Sequence, residues 1–405
     1  MSKVLFLNMP AHGHVNPTLG IVSELVKHGE NVTYFCTNEF RSKIEQAGAN
    51  FKSYNEKTNP LTQKQNINIK PNLKYYLNHL SEIIKSIDVI ISDILEQIKG
   101  IKYDYIVYGS MFPVGKIIAQ ILKVPSVASF AVFATAKELV EQRRELIDVN
   151  ELKNHPVNNV YKDVSQQLKI KYDVDLPDNI FELFFNKGDI NIAYTSKYFV
   201  AHTEYYDDSF KFIGPPIYDR KENINFPFEK LEGKKVAYIS LGTVFNNTDN
   251  KLYDVFFKTF ANTDFTVVMS AYNLDLSKFD IPDNFIVRNY VPQSKILKYT
   301  DVAITHAGMN STSDLIYNNV PFVAIPIGAD QPYMAGRAAE LKATISLDKD
   351  KLTPKILKSS VEKVLYDSSY LKNIKKISNS FKKTGGYKKA VEEIFKLKKL
   401  NDILN

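Results

Sequence analysis

Two histidines separated by one glycine follow the first apolar segment of the chain. Residues 4–7 form a continuous apolar run, typical of a buried parallel strand, and the sequence PAHGHVNP follows at residues 10–17. Open α/β sheets bind ligands there, beyond the carboxyl end of a strand. Asn16 and Pro17 predict a helix start, with His14 immediately before it. The positive end of a helix disfavours imidazole protonation, so a neutral His14 could accept a proton from a hydroxyl nucleophile.

The same histidines allow two other interpretations. A His-x-His pair can ligate a metal, but no nearby Cys, Asp or Glu completes a ligand set around His12 and His14, so we expect no metal. A histidine can also pack against or cap the start of a helix and have no catalytic role. His14 is better placed than His12 to act as a general base.

A second polar cluster, THAGMNSTSD at residues 305–314, follows another apolar strand. Gly308 lets the backbone come close to a ligand, and the following residues offer donors at a helix N-terminus, a site that attracts phosphate. The candidate ligands of a diphosphate are His306, Asn310, Ser311 and Thr312. Asp314, one turn further on, could accept hydrogen bonds from ribose hydroxyls. Ordinary capping explains residues 310–312, but it does not explain His306 and Gly308.

Strands alternating with amphipathic helices must position these residues. One such series spans about residues 4–130, and a second begins at Lys235. This rhythm predicts an α/β protein with two facing Rossmann-like domains and an active site in the cleft between them. We expect an acceptor-binding domain at 1–215, a linker at 216–232, a nucleotide-binding domain at 233–385 and a Lys-rich amphipathic helix at 386–405 that packs back towards the first domain. Segments near 60–90 and 130–180 look irregular and are expected to form the acceptor pocket.

Composition excludes several classes of protein. The net charge of +7 is concentrated in residues 349–405, which hold 15 Lys against 6 Asp and Glu, so the other 348 residues carry −2 and nucleic-acid binding is disfavoured. The single Cys excludes a disulfide framework. We expect no membrane-spanning segment, no signal peptide and a cytoplasmic location. With Trp 0, a flat ring in a site must come from Tyr, Phe or His.

Five segments together resemble the UDP-dependent glycosyltransferases of the GT-B fold, within them the bacterial macrolide-type family. They are PAHGHVNP at 10–17, YISLGT at 238–243, VPQ at 291–293, THAGMNST at 305–312 and ADQ at 329–331. The resemblance covers nearly the whole chain. It implies an inverting transfer of a sugar, most simply glucose, from a UDP-sugar to a hydrophobic hydroxylated molecule such as a macrolide, flavonoid or other phenol. No cofactor and no divalent ion are implied.

The resemblance also assigns roles to residues. His14 would deprotonate the acceptor hydroxyl. Tyr290 would stack on uracil, and the Val291 backbone and Gln293 would complete the nucleoside site. Thr243, His306, Asn310 and Ser311 would hold the diphosphate, with Gly308 and Thr312 also part of the donor site. Asp314 would bind the ribose, and Asp330 with Gln331 the sugar hydroxyls.

The chain departs from the family pattern at two positions. Asp314 stands where Glu is usual. Gly109 stands where relatives commonly carry the Asp that orients the histidine, which leaves Ser110 or a water as its substitute and predicts that Gly109→Asp raises turnover. Two alternatives stay open: transfer to a lipid or cell-envelope precursor at a membrane surface, and a nucleotide-sugar-binding protein with impaired catalysis. A nicotinamide dehydrogenase is disfavoured, because no Gly-x-Gly-x-x-Gly follows either opening strand. The oligomeric state is not predicted.

Overall fold

The computed structural model describes residues 2–55, 57, 59, 61, 73–131, 154–217, 224–242, 250–328 and 330–404. The chain divides into two compact units. The N-terminal unit consists of Met1–Tyr194, His202–Tyr218 and Gly385–Asn405, and the C-terminal unit of Thr195–Ala201 and Asp219–Thr384. The short segment 195–201 therefore belongs to the C-terminal unit although it precedes the predicted linker.

The N-terminal unit is built on a parallel sheet whose seven described strands run in the order β3-β2-β1-β4-β5-β6-β7. The strands are β1 Lys3–Leu7, β2 Asn31–Cys36, β3 Asn50–Ser53, β4 Tyr105–Gly109, β5 Ser126–Phe130, β6 Ile190–Ala193 and β7 Phe210–Phe212. The central strands are buried along nearly their whole length, as expected when helices cover both faces of a parallel sheet.

Six described helices accompany this sheet. They are α1 His12–Lys27, α2 Arg41–Gln46, α3 Leu73–Gln97, α4 Val114–Leu122, α5 Val157–Tyr172 and, from the end of the chain, α12 Gly386–Leu404. The chain order reverses beside β1: β2 and β4 are its two neighbours. The loops after β1 and β4 therefore leave the same edge of the sheet at a topological switch point, where α/β sheets bind ligands.

The C-terminal unit contains a second parallel sheet, with its described strands in the order β10-β9-β8-β11-β12-β13. The strands are β8 Lys235–Ser240, β9 Phe265–Ser270, β10 Phe285–Arg288, β11 Val302–Thr305, β12 Phe322–Ala324 and β13 Thr344–Ser346. Its helices are α6 Asn250–Phe260, α7 Gln293–Ile296, α8 Met309–Tyr317, α9 Gln331–Glu340, α10 Pro354–Tyr366 and α11 Ser368–Lys382. Strands β8 and β11 are adjacent, so their loops leave one edge side by side.

Helix α12 packs on the N-terminal unit. The Tyr387 ring occupies the space that a Cβ at Gly20 of α1 would need, so the two helices approach closely at this point. Lys398 lies 3.2 Å from buried Glu30, which also accepts a hydrogen bond from Tyr105. Lys389 and Lys396 pair with Glu393 on α12 itself. Ion pairs thus use several of the lysines that make this segment basic.

Two segments expected to be irregular are helical. Leu73–Gln97 is α3, and Val157–Tyr172 is α5. The buried residues of α3 recur at helical spacing, with Leu80, Ile84, Ile87 and Ile91 on its inner face. The prediction of irregular structure was therefore wrong for 73–90 and 157–172, and in α3 this periodicity was the signal it missed. Residues 62–72 of the first segment and 132–153, the first half of the second, lie outside the described residues. No described helix is both long and apolar enough to cross a bilayer.

Candidate functional site

His14 lies inside the first turn of α1 and not in front of the helix. The helix begins at His12 with Ala11 as its cap, and the backbone N–H groups of His14 and Val15 both donate to the Ala11 carbonyl at 2.9 Å. The predicted start at Asn16 was wrong: the helix begins four residues earlier and accommodates Pro17, although proline cannot donate to the carbonyl four residues before it. Pro17 is within the helix.

The two histidines have different surroundings. Burial lowers the pKa of His14 to about 4, so its ring is neutral at neutral pH although part of its surface remains accessible. His12 Nε2 lies 3.4 Å from Glu39, both side chains are exposed, and the His12 ring packs edge-on against Phe40. The described residues contain no cluster of three or more His, Cys, Asp or Glu arranged to hold a metal ion. His14 is therefore the histidine with the electrostatics of a neutral base.

Asn8, the residue directly after β1, makes several hydrogen bonds around the start of α1. It was not among the site residues predicted from the sequence. Its side chain is fully buried, and its Nδ2 donates to the His14 carbonyl at 3.0 Å and to the Tyr34 hydroxyl at 2.9 Å. Its Oδ1 accepts from the Met9 N–H at 2.9 Å, and its backbone bonds to the Tyr54 hydroxyl. A polar residue at the end of an apolar run, just before a candidate loop, was the available signal.

Gly109 lies against Asn8. A Cβ at position 109 would overlap Asn8 Oδ1, so the Asn8 amide fills the space that a side chain at 109 would need. That Gly109→Asp raises turnover stays a prediction, and the structure adds a cost to it, because the new side chain must first displace a buried and hydrogen-bonded group.

Ser110 is also buried, and its described hydrogen bonds involve its backbone. Its N–H donates to Ser129 and its carbonyl accepts from the Asn186 N–H. Within the described residues no hydrogen bond joins Ser110 to His14. The catalytic role predicted for Ser110 stays a prediction without a direct contact.

In the C-terminal unit, His306 lies between two glycines from neighbouring loops. A Cβ built at Gly242, which has φ +77°, would lie 2.7 Å from His306 Nε2, and one built at Gly308 would lie 2.5 Å from the same atom. The ring Nδ1 is 3.4 Å from the Ser240 carbonyl. Burial lowers the pKa of His306 to about 4, while the Ser240 carbonyl acts in the opposite direction. Thr243, the next predicted ligand on this loop, lies outside the described residues.

The N-terminus of α8 follows His306 directly. Gly308 is its cap residue and supplies no side chain, so the first N–H groups of the helix depend on other partners. One such partner is Asp330, whose carboxylate accepts from the Met309 N–H. Burial nevertheless raises the pKa of Asp330. A carboxyl group thus already lies at the helix end at which the sequence predicted a diphosphate.

The polar residues of α8 differ in their exposure. Asn310 and Ser311 are half-buried, whereas Thr312 and Ser313 are almost completely buried. The hydroxyls of Thr312 and Ser313 have no hydrogen-bond partner among the described residues. Thr312 is therefore placed at the predicted site, but its N–H donates to the Gly308 carbonyl at 2.9 Å, so its backbone donor is already used within the helix.

Asp314 and Gln293, predicted as ribose and nucleoside ligands, are joined to each other. Gln293 Nε2 donates to Asp314 Oδ2 at 2.7 Å, and Tyr238 on β8 donates to Gln293 Oε1 at 3.1 Å. The structure thus brings together residues from β8, α7 and α8. Tyr238 lay in a quoted motif, but the sequence assigned it no role.

The remaining predicted donor residues have mixed environments. Tyr290 is 40% exposed, as a ring that stacks on a ligand must be, and Val291 beside it is buried. Gln331 is 3% exposed, and its Oε1 accepts from the N–H groups of Ile327 and Gly328. Gln331 therefore fixes the loop that precedes α9, and this bonding occupies the oxygen of its side chain.

Comparison with known proteins finds relatives in sequence and in structure. A family model described as UDP-glucoronosyl and UDP-glucosyl transferase matches residues 228–385. An uncharacterized UDP-glucosyltransferase, YojK of Bacillus subtilis (strain 168), is 32% identical over 97% of both chains. The oleandomycin glycosyltransferase of Streptomyces antibioticus is 22% identical over 97% of this chain and 90% of that protein. The crystal structure of CalG4, the calicheamicin glycosyltransferase, covers 98% of each chain with a TM-score of 0.81 at 24% identity.

The two parallel Rossmann-like sheets match the GT-B fold. The predicted fold class is confirmed. The chain belongs to the UDP-glucuronosyl and UDP-glucosyl transferase family, and it is an enzyme of that family.

Proposed function

We propose that this glycosyltransferase moves a sugar, most simply glucose, from a UDP-sugar to a hydroxyl of a hydrophobic small molecule, with inversion and without a metal. The observation that carries the proposal is the convergence of Gly242, Gly308 and His306 at the N-terminus of α8. The Bacillus subtilis relative carries UDP-glucosyltransferase in its name, which supports glucose. The name of the Streptomyces antibioticus relative supports a macrolide-like acceptor.

On the donor side, the diphosphate is stabilised by fixed donors in place of a divalent ion. The glycines remove the side chains that would keep a phosphate from the α8 N-terminus, and Asn310 and Ser311 follow in its first turn. A carbonyl only accepts, so Nδ1 of His306 is the donor to Ser240 and Nε2 carries the lone pair. His306 therefore donates to a phosphate oxygen from Nε2 when its ring gains a proton.

On the acceptor side, neutral His14 accepts the hydroxyl proton while the oxygen attacks the anomeric carbon. The C–O bond to UDP breaks as the new glycosidic C–O bond forms on the opposite face, which inverts an α-linked donor to a β-glycoside. A pKa of about 4 makes His14 available as a base but a weak one, because no carboxylate raises its pKa. The charge that develops on the ring in the transition state must then be stabilised by the bound substrates.

A screen of UDP release tests the proposal. The full chain is incubated with UDP-glucose, UDP-galactose and UDP-N-acetylglucosamine against a panel of macrolides, flavonoids and simple phenols. We expect acceptor-dependent UDP release with UDP-glucose, undiminished by EDTA, and a β-linked product by NMR coupling constants. An α-linked product would rule out the inverting mechanism, and loss of activity in EDTA would rule out metal independence.

A binding protein with impaired catalysis is a second candidate, favoured by the glycine at 109, beside which the Asn8 amide fills the space that a side chain would need. It predicts UDP-glucose binding by calorimetry with no acceptor-dependent UDP release across the whole panel.

Transfer at a membrane surface is a third candidate. Lys372, Lys375 and Lys376 form an exposed face on α11, and basic faces bind anionic lipid. Co-sedimentation with phosphatidylglycerol vesicles that is lost at high salt would support it, and the absence of co-sedimentation at low salt would exclude it.

A further inference from the structure

We propose that Asn8 is a positioning residue for His14, holding the first turn of α1 through the His14 backbone, and that its amide is the reason position 109 is glycine. The inference rests on the proposed role of His14 as the base. Asn8 directly follows β1, whereas His14 lies in α1. The hydrogen bond between them therefore links the end of the strand to the first turn of the helix.

The first turn of α1 needs such support. Pro17 lacks an N–H and so cannot donate to the Gly13 carbonyl, which removes one of the bonds that normally fix a helix start. The structure supplies side-chain bonds to the next two carbonyls instead. Asn8 Nδ2 donates to His14 O at 3.0 Å, and Thr18 Oγ1 donates to Val15 O at 2.7 Å.

These two hydrogen bonds are the ends of one hydrogen-bonded chain of side chains. The number of protons on each group fixes which group donates at each step. Thr18 has one hydroxyl proton, which goes to Val15, so in its 2.8 Å contact with Tyr34 the phenol donates. Burial raises the pKa of Tyr34 well above its ordinary value, so the phenol keeps that proton. The Tyr34 oxygen then accepts from Asn8 Nδ2 at 2.9 Å. The chain thus runs from Asn8 through Tyr34 and Thr18 to the carbonyl beside His14.

Every member of this chain is inaccessible to solvent. Asn8, Thr18 and Tyr34 are each 0% exposed, and the Tyr34 ring stacks on Phe6 of β1 with ring centroids 4.4 Å apart. A satisfied polar network in a dry interior has one low-energy arrangement, because any shift leaves a buried donor or acceptor without a partner. The backbone of His14 is therefore held in one place relative to the sheet.

Position 109 lies against the oxygen of the same amide group. Asn8 Oδ1 is held by the Met9 N–H and lies where a Cβ at 109 would be. The amide cannot turn away from such a Cβ without breaking its bonds to His14 and Tyr34. The next atom beyond the amide group, Asn8 Cα, is 3.9 Å from that Cβ position, an ordinary contact distance. A methyl group at 109 is thus harmful only while the Asn8 side chain is present.

A double-mutant cycle tests the proposal on the full chain, with Asn8→Ala, Gly109→Ala and the two combined. Because displacing a reacting group by about 1 Å can cost about a hundredfold, we expect each single variant to lower kcat by about tenfold to a hundredfold. KM for UDP-glucose should stay within about twofold. The double variant should be no slower than Asn8→Ala alone.

Matched controls separate positioning from loss of stability. Asn50→Ala removes an exposed asparagine pair on the same sheet, and Gly336→Ala adds a methyl group that meets no atom within 4 Å. Both should keep wild-type kcat. Thr18→Val cuts the chain at its far end without enlarging the side chain and should lower kcat less than Asn8→Ala, with donor KM unchanged. Folded fractions are measured by circular dichroism, so that kcat refers to folded enzyme.

The outcomes separate this inference from the proposed function. If wild type transfers sugar and His14→Ala does not, while Asn8→Ala keeps wild-type kcat, the positioning role is overturned and the base stands. If the effects of Asn8→Ala and Gly109→Ala multiply in the double variant, the link between the two positions is wrong. If His14→Ala transfers sugar as fast as wild type, the proposed function itself fails.

Discussion

The two units hold a histidine in the same electrostatic condition by different means. His14 and His306 each follow a buried strand, and burial lowers the pKa of each to about 4. His14 lies within a helix turn secured by side chains, whereas His306 lies ahead of a helix, between two glycines and beside a backbone carbonyl. The first arrangement depends on which side chains are present, and the second on which are missing. Removal of side-chain atoms should therefore damage the first site, as should any added group that displaces those side chains, whereas the second site should be damaged mainly by added atoms.

Removal of the His14 ring gives the largest expected effect. His14→Ala should lower transfer by about 10²–10⁴-fold, the usual range for loss of a general base. UDP-glucose affinity, measured by calorimetry, should change by less than about twofold, because the predicted donor ligands lie in the C-terminal unit. His12→Ala, the matched control two residues away, should retain most of the activity. Equal losses in the two variants would show that the comparison of the histidines is wrong.

Addition of one methyl group beside His306 gives the next effect. Gly308→Ala should weaken UDP-glucose binding by about tenfold or more, since relieving the overlap with the His306 ring costs about 1–3 kcal/mol. Gly308 has an ordinary negative φ of −61°, so this variant tests the close approach without backbone strain. Gly336→Ala is the control. An unchanged dissociation constant for Gly308→Ala would contradict the proposed cradle.

A pH dependence of donor binding should distinguish the two histidines further. Free His306, with its pKa of about 4, is unprotonated at neutral pH, and a bound diphosphate raises that pKa by placing negative charge beside the ring. UDP-glucose binding therefore takes up a proton, and affinity rises several-fold from about pH 8 to about pH 5. Calorimetry in two buffers of different ionisation enthalpy measures the uptake. His306→Gln should abolish it, and its persistence there would assign the proton to another group.

The smallest expected effect concerns the pH profile of the reaction: kcat/KM for the acceptor should not change near pH 6.5. Because the pKa of His14 is lowered to about 4, kcat/KM for the acceptor should stay level from about pH 7.5 to about pH 5.5 at saturating donor, and decline only nearer pH 4. An ordinary histidine base would lose about half of its activity near pH 6.5. A midpoint there would show that His14 is solvated in the working enzyme.

The sequence predicted the donor half of the site better than the acceptor half, for a physical reason. Residues 305–314 are contiguous and combine a strand end, a glycine and a helix start, so local rules place them together. Gly242 and Tyr238 come from a neighbouring strand, and their contacts with His306 and Gln293 require the β8–β11 pairing. Even so, the strand–helix alternation predicted a fold from which that pairing follows.

The acceptor half depends on contacts that no local pattern contains. Asn8 and Gly109 are distant in sequence and meet because β1 and β4 are neighbours. The start of α1 was placed at Asn16 by a rule about proline that tertiary contacts override, and α3 was missed although its apolar periodicity is regular. Residue identity alone showed that a carboxylate was absent at 109. Only the packing shows that the Asn8 amide fills the space beside Gly109.

The return of the last helix to the first unit has a consequence for synthesis. Residues 385–405 complete a surface of α1 that leaves the ribosome more than 300 residues earlier, and the Gly20–Tyr387 contact cannot form until Tyr387 has been synthesised as well. The N-terminal unit must therefore wait, with an apolar helix face uncovered, while the C-terminal unit is made and folds. Chaperone demand and premature truncation should affect this half of the enzyme first, and a shortened gene that ends at residue 384 would yield an incomplete first unit beside an intact second one.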